Sequence, residues 1–330
     1  MSVLVTGGAG YIGSHVVLEL LAAGEEVIVV DNLSTGFRWA VASEAEFVEG
    51  DVVDRFLIKR LLLRNSIDCI LHFAGSVVVP ESIADPVTYY RNNTCASAAL
   101  LHCAVENNVP HFIFSSTAAV YGIPEEIPVP EAAPLCPISP YGTSKMMTEL
   151  MLRDVAFAHS LSYVALRYFN VAGADPYGRA GQNTPNATHL VKIAVEVALG
   201  KRPYLEVFGT DYPTADGTCI RDYVHVSDLA RAHVAALRYL RAKGKSEVLN
   251  CGYGTGFSVL EVIAAINRIT QKPIPTRLGP RRIGDAPALI AQPSKIGRLL
   301  DWHPQQNDLG SIVKHALAWE QCIGYRQESH

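Results

Sequence analysis

No stretch of the 330-residue chain approaches the roughly 18 to 20 consecutive apolar residues that a membrane-spanning helix needs. The longer apolar stretches, such as Val16 to Val30, are interrupted by Glu19, Glu25 and Glu26. Positive charge is not in surplus either: 28 Lys and Arg stand against 32 Asp and Glu, for a net charge of −4 and a pI near 6.3. No block of one sign is long enough to act as an interaction tail. Nucleic acid and membrane are therefore not expected as partners, since neither has an electrostatic footprint here. The seven cysteines, at 69, 95, 103, 136, 219, 251 and 322, include no C-x-x-C pair. That spacing predicts no metal site and favours free thiols in a reducing cytoplasm. No positively charged residues precede the apolar Val3-Leu-Val5, so no secretory signal is expected. Internal repeats and low-complexity tracts are also missing.

What is there reads as a globular chain with a large core. Hydrophobic residues make up 49% and charged residues 18%, enough for one large domain or two ordinary ones. Short β-branched or aromatic runs predict buried strands at Val3–Thr6, Glu26–Val30, Cys69–Phe73, Phe112–Ser115 and Tyr163–Arg167. Helical patterns lie between them at Tyr11–Ala22, Arg55–Asn65, Pro86–Asn107 and Tyr141–His159. Repeated strand–helix units predict an α/β fold, a Rossmann-type doubly wound parallel sheet. After about residue 170 the rhythm changes, and Gly, Pro, Asn and Asp cluster at 173–186 and 209–217 into long shaped loops. The expected division is a dinucleotide-binding domain over residues 1–170 and a smaller C-terminal α/β substrate-binding domain over 171–330. The segment around 221–240 is expected to pack back on the first domain.

Gly7-Gly8-Ala9-Gly10-Tyr11-Ile12-Gly13 follows the first strand and opens the first helix. Glycine is needed there for the tight turn, for backbone approach to a pyrophosphate and for close helix–strand packing. The helix start then aims N–H groups and positive dipole at the phosphates. Asp31 ends the next strand, 18 residues after Gly13, where a carboxylate binds ribose hydroxyls and repels a 2′-phosphate. This favours NAD over NADP.

Tyr141-Gly-Thr-Ser-Lys145 opens another helix, and a spacing of four puts both side chains on one face. Tyrosine ordinarily titrates near pH 10. A neighbouring ammonium and a nearby cationic nicotinamide are expected to lower that value and make Tyr141 a general base toward a hydroxyl. Alone, Y-x-x-x-K is a common helical accident. Here it follows a dinucleotide loop and Phe114-Ser-Ser-Thr-Ala-Ala-Val-Tyr121, whose Ser115, Ser116 and Thr117 end a strand where ligands sit in this fold. Thr117 is placed to hydrogen-bond the oxygen that Tyr141 deprotonates.

These motifs are joined in order by Asp31-Asn-Leu-Ser34, Glu49-Gly-Asp51, His72-Phe-Ala-Gly75, Tyr89-Tyr-Arg-Asn-Asn93, Ser139-Pro-Tyr-Gly142, Leu166-Arg-Tyr-Phe-Asn170, Asp211-Tyr-Pro-Thr-Ala-Asp-Gly217, Arg221-Asp-Tyr-Val-His225 and Pro280-Arg-Arg-Ile-Gly-Asp285. Across nearly its whole length the chain resembles the extended short-chain dehydrogenase/reductase family, specifically its UDP-glucose (UDP-galactose) 4-epimerases. The resemblance implies NAD contacts at Gly7, Gly10, Tyr11, Ile12, Gly13, Asp31, Asn32, Asp51, Val52, Phe73, Ala74, Gly75, Asn92, Ser115, Tyr141, Lys145 and Tyr168. It implies catalytic roles for Thr117, Tyr141 and Lys145. It implies that Thr117, Phe169, Asn170, Leu190, Phe208, Arg221, Arg282 and Asp285 hold a UDP-sugar. Guanidinium groups suit this because they bind phosphate oxygens through paired hydrogen bonds. A homodimer joined through Pro86–Asn107 and the helix from Tyr141 is also implied.

Three positions depart from the family pattern. Thr117 stands where serine is usual and keeps the oxygen. Val77 replaces a lysine that many members place on the cofactor, which implies weaker cofactor retention. Leu289 has intermediate size at a position associated with accepting or rejecting N-acetylated sugars. Ala118 and Ala119 occupy the places where nucleotide-sugar dehydratases carry an Asp-Glu pair, and neither can transfer a proton. The implied reaction is interconversion of UDP-glucose and UDP-galactose through a 4-keto sugar. Epimerisation of another UDP-sugar is the same-chemistry alternative, and a non-catalytic NAD-binding regulator the alternative from another class.

Overall fold

The computed structural model describes residues 1–184, 187–282 and 284–327, with side chains through residue 323. Strands β1 (Ser2–Thr6), β2 (Glu26–Asp31), β3 (Glu46–Glu49), β4 (Ile67–His72), β5 (His111–Thr117) and β6 (Ser162–Tyr168) alternate with helices α1 (Tyr11–Ala22), α2 (Arg55–Arg64), α3 (Val79–Ala84), α4 (Pro86–Tyr89), α5 (Ala96–Glu106) and α6 (Pro140–Ala158). Further on come β7 (Asn170–Ala172), α7 (Leu190–Ala198), β8 (Leu205–Phe208), β9 (Ile220–His225), α8 (Val226–Arg241) and β10 (Glu247–Cys251). The chain finishes with β11 (Gly256–Ser258), α9 (Val259–Thr270), β12 (Thr276–Gly279), β13 (Ala288–Leu289), α10 (Ser294–Leu300) and α11 (Leu309–Gln327).

Seven strands form one sheet in the order β10-β6-β5-β4-β1-β2-β3, every neighbouring pair parallel. Alternate residues of each strand feed opposite cores, as the two-residue strand period requires. Val3, Val5, Val29, Leu71, Ile113 and Leu166 pack under α1 and α8. Leu4, Ile28, Val30, Ile70, Phe112 and Phe114 pack against α2, α5 and α6. Leu229, Leu237 and Leu240 of α8 are fully buried in the first of these cores, each stabilising the fold by about 1.5–3 kcal/mol. The chain thus returns to the sheet after residue 225, adding a covering helix and then the edge strand β10.

The remaining strands make smaller sheets: β9 lies between β11 and β13 and also pairs with β7, while β8 pairs with β12. A third core joins α7, α9 and α11 through Val191, Val195, Val262, Ile266, Ile312 and Val313. The five strands expected from sequence are present, with ends moved by a residue or two. The helix expected at Pro86–Asn107 is present as α4, a π-helical segment at Tyr90–Cys95, and α5, which follow one another without a gap. Such widened turns often occur at functional sites, and this one carries Asn92 and Asn93. Strands β3 and β10 were not expected. Glu46-Phe-Val-Glu49 is short and edge-exposed, and β10 lies within the stretch expected to carry the substrate.

Candidate active site

The glycine loop leaves β1 against the start of α1. Gly7 has φ +74, and a Cβ there would stand 2.5 Å from the Ala74 nitrogen. A Cβ on Gly13 would come within 2.2 Å of the Gly7 carbonyl oxygen, so neither position accepts a side chain. Helix α1 begins at Gly10 with no side-chain cap and no acidic residue in its first turn. An uncapped helix start beside a side-chain-free loop is the environment an anionic diphosphate requires. Asp31 closes this end: its carboxylate accepts from the Ala9 N–H at 2.9 Å and the Leu33 N–H at 2.8 Å. Burial raises its pKa, and both backbone bonds work against that rise. Asn32 donates to the Asp51 carboxylate at 3.1 Å, and Val52 is buried just beyond. Tyr11 and Ile12 pack on the sheet core, and the Tyr11 hydroxyl donates to the Gly173 carbonyl at 2.7 Å.

Helix α6 places the reactive pair. Ser139 caps it by accepting from the Gly142 N–H, and Pro140 sits at its first position. Lys145, buried, donates to the Ser115 carbonyl at 2.9 Å and lies 4.9 Å from the Phe114 ring centre. Burial lowers its pKa to about 8. The Thr117 side chain stands beside the Tyr141 phenol and favours its ionised form, and the Thr117 oxygen accepts from the Ala119 N–H at 3.1 Å. Of the two cations expected to lower the Tyr141 pKa, the ammonium does not act on it. Burial raises the phenol, Thr117 is what pulls it down, and the ammonium is turned to Ser115.

Around this pair the ends of β4, β5 and β6 converge. Phe73 and Ala74 donate their N–H groups to the Thr6 carbonyl at 2.9 and 3.1 Å. Gly75, at φ +156, would drive a Cβ to 2.8 Å from the Asn93 side-chain oxygen. Asn92 donates to the Ser76 hydroxyl at 3.1 Å, while Val77 is exposed. Tyr168 is buried and bonded to His233.

The residues expected to hold substrate form three groups. Arg221 donates to the carbonyls of Ile220 and Ala286, both at 2.8 Å, and approaches the Asp285 carboxylate at 3.5 Å. Arg282 donates to the same carboxylate at 2.9 Å and stacks on Phe208 with 4.8 Å to the ring centre. Asn170 and Leu190 line an open pocket with Tyr223, His189 and Lys192. Phe169 packs with Ala118, Tyr121 and Leu289.

Sequence reasoning missed the support beneath the site. Glu149, two helical turns past Tyr141, accepts from Ser116 and forms a buried ion pair with Arg167. Arg167 also donates to the Tyr121 hydroxyl at 2.8 Å. The 141-145-149 spacing was a usable signal. His233 had none, because its partners come from distant strands.

A parallel sheet with a glycine loop at its first turn and a tyrosine–lysine pair at the ends of its central strands defines a dinucleotide-dependent enzyme. The chain belongs to the NAD dependent epimerase/dehydratase family, whose model matches residues 3–252. It is 53% identical over 321 residues to the UDP-glucose 4-epimerase of Azospirillum brasilense, spanning 97% of this chain and 92% of that one. Among solved structures it is similar to UDP-glucose 4-epimerase from Brucella ovis in complex with NAD, at 44% identity and a TM-score of 0.93, covering 96% and 97% of the two chains. It is likewise similar to the enzyme from Bifidobacterium longum in complex with NAD+ and UDP, at 40% identity and a TM-score of 0.92, covering 97% and 98%. Among the described residues no helix is long and apolar enough to cross a membrane.

Proposed function

We propose that this chain interconverts UDP-glucose and UDP-galactose by NAD-dependent hydride transfer at C4, through a 4-keto sugar. The observation that carries the reading is Tyr141 beside Thr117 with buried Lys145 four residues on. Ala118 and Ala119 follow, where an enzyme that dehydrates the keto sugar needs acids. The uncapped start of α1, the Gly7–Gly13 cradle and the buried Asp31 carboxylate fit NAD. Gly10, Tyr11, Ile12, Asn32, Asp51, Val52, Phe73, Ala74, Gly75, Asn92, Ser115 and Tyr168 complete that site in this reading. Bound NAD supplies the hydride acceptor, and then the donor, at the sugar C4.

Tyr141 takes the proton of the 4-hydroxyl as the carbonyl forms, and returns it when the new hydroxyl forms. Thr117 hydrogen-bonds the same oxygen and keeps it at the phenol. Lys145, held by the Ser115 carbonyl, binds the nicotinamide ribose. Between the two transfers the sugar turns while its diphosphate stays with Arg221 and Arg282. Phe208, Asp285, Phe169, Asn170 and Leu190 hold the rest of the nucleotide sugar. In this division residues 1–170 carry NAD and 171–330 mainly the nucleotide sugar. The free cysteines suit a reducing cytoplasm.

The chain works as a homodimer in the same reading. Val87, Met147 and Leu150 expose apolar surface on α4 and α6, and a monomeric mass by light scattering would overturn that element.

Incubation with UDP-galactose, UDP-N-acetylglucosamine, UDP-xylose and UDP-glucuronate, with product sugars resolved, tests the activity. UDP-glucose from UDP-galactose is the expected product. Tyr141→Phe should lower turnover by about 10²–10⁴-fold, and near-normal turnover in that variant would refute the assignment.

A further inference from the structure

His233, on α8, meets two residues of the proposed NAD site within the core that α8 packs on the sheet. Its Nε2 meets the Tyr168 hydroxyl, and its ring lies 4.9 Å, centre to centre, from Phe73. Its Nδ1 lies 2.8 Å from the Leu229 carbonyl. A carbonyl only accepts, so Nδ1 carries the proton and Nε2 of the neutral ring is an acceptor. Burial holds the imidazole down to about 4, which keeps it neutral. The Tyr168 O–H therefore points at His233 and donates to it. Tyr168 also stands beside the Ser115 side chain, which favours its ionised form, and with its own proton committed to His233 it can meet the Ser115 hydroxyl only as an acceptor. Ser115 is the residue whose carbonyl receives Lys145.

The geometry points to His233 as a positioning residue for the dinucleotide. By taking the Tyr168 proton it fixes the Ser115–Tyr168 pair as hydrogen-bond acceptors at the strand ends where the nicotinamide half binds. A ligand there must present donors, as a carboxamide N–H₂ or a ribose hydroxyl does. The inference rests on the NAD-binding reading above and adds to it a residue with no expected ligand contact of its own.

The test uses the full chain and reads NAD affinity by equilibrium dialysis, with the melting temperature of the NAD-free protein and kcat and KM for UDP-galactose alongside. His233→Phe keeps a ring against Phe73 but cannot accept from Tyr168. It should weaken NAD binding about tenfold, the effect of one hydrogen bond of ordinary strength. His233→Gln, which offers an amide oxygen to Tyr168, should restore most of that affinity. Combined with Tyr168→Phe, His233→Phe should add nothing further. Unchanged NAD affinity in His233→Phe, or effects that add in the double variant, would overturn the inference. So would a fall in melting temperature alone. Should His233→Phe not fold, His233→Leu carries the same comparison. An inactive Tyr141→Phe with undiminished NAD affinity in His233→Phe would remove only the positioning role, whereas a native chain that binds no NAD would remove both readings.

Discussion

The Lys145 ammonium donates to the main-chain carbonyl of Ser115, at 2.9 Å, tying helix α6 to the end of strand β5 where Thr117 meets Tyr141. This one bond sets the lysine beneath its tyrosine and leaves a cation buried with one carbonyl partner. The consequence is a lowered lysine pKa, near 8.

That value makes a pH prediction. Between about 8 and the ordinary lysine value of about 10.4 the unfolded chain binds a proton that the native chain does not. The contribution of Lys145 to stability therefore rises with pH across that window, and the cost of burying its charge is fully present below it. For activity the sign is opposite. The ammonium is lost above about pH 8, so kcat/KM should fall on that alkaline side. Lys145→Arg keeps its charge at every accessible pH, and persistence of the same alkaline limb in that variant would show that another group titrates.

Asp31 is held by two backbone N–H groups, so its carboxylate is ordered before any ribose arrives. Asp31→Ala should weaken NAD binding by about 1.5–3 kcal/mol, the worth of a hydrogen bond to a charged group. It should also narrow the preference for NAD over NADP, because the charge that repels a 2′-phosphate is gone. Titration with both dinucleotides checks this, and an unchanged ratio would contradict the role.

Gly13→Ala places a methyl 2.2 Å from the Gly7 carbonyl oxygen. The backbone of both residues must move, at a cost of about 1–3 kcal/mol or more. A lower melting temperature together with loss of NAD binding is expected. Gly297→Ala, in helix α10, is the control for methyl addition alone, since its Cβ would meet only the Trp302 carbonyl oxygen, at 3.8 Å.

Glu149 and Arg167 are both about 5% exposed, and truncating either strands the other as a buried charge. Glu149→Leu should cost about 3–5 kcal/mol, measured as a shift in urea midpoint at constant slope. Glu149→Leu combined with Arg167→Met removes both charges and should recover part of that loss. A double variant as unstable as the sum of the singles would mean that the two side chains are not coupled.

Leu289 packs beside Phe169 and Ala118 in the proposed sugar pocket. Leu289→Ala removes bulk there and should raise turnover of UDP-N-acetylglucosamine relative to UDP-galactose. A substrate panel reads the ratio, and no change would take Leu289 out of the sugar pocket.

The parts legible in the sequence are those whose chemistry is local. The glycine loop, Asp31 and the 141–145 pair lie within single turns or at fixed spacing, so steric need and helical period expose them directly. The short edge strand β3 was missed because Glu46-Phe-Val-Glu49 buries too little to show a pattern. Strand β10 was missed because parallel strands pair across long connections, and residues 247–251 lie opposite 164–168 with nothing in either segment announcing the other. The part of Lys145 in the Tyr141 pKa was not legible for a related reason. Spacing puts the ammonium on the same helix face, and only packing reveals that it turns to Ser115 while burial raises the phenol.

The sequence by itself determined the alternating strands and helices, the phosphate cradle and the acid–base pair, because each depends on backbone sterics or periodicity within a few residues. Only the tertiary structure decided which strand ends meet. It set the Glu149–Arg167 pair under β5 and brought His233 to Tyr168, 65 positions away. Contacts between distant segments depend on how the sheet is ordered and covered, and the free energy that selects that order belongs to the assembled core rather than to any one segment.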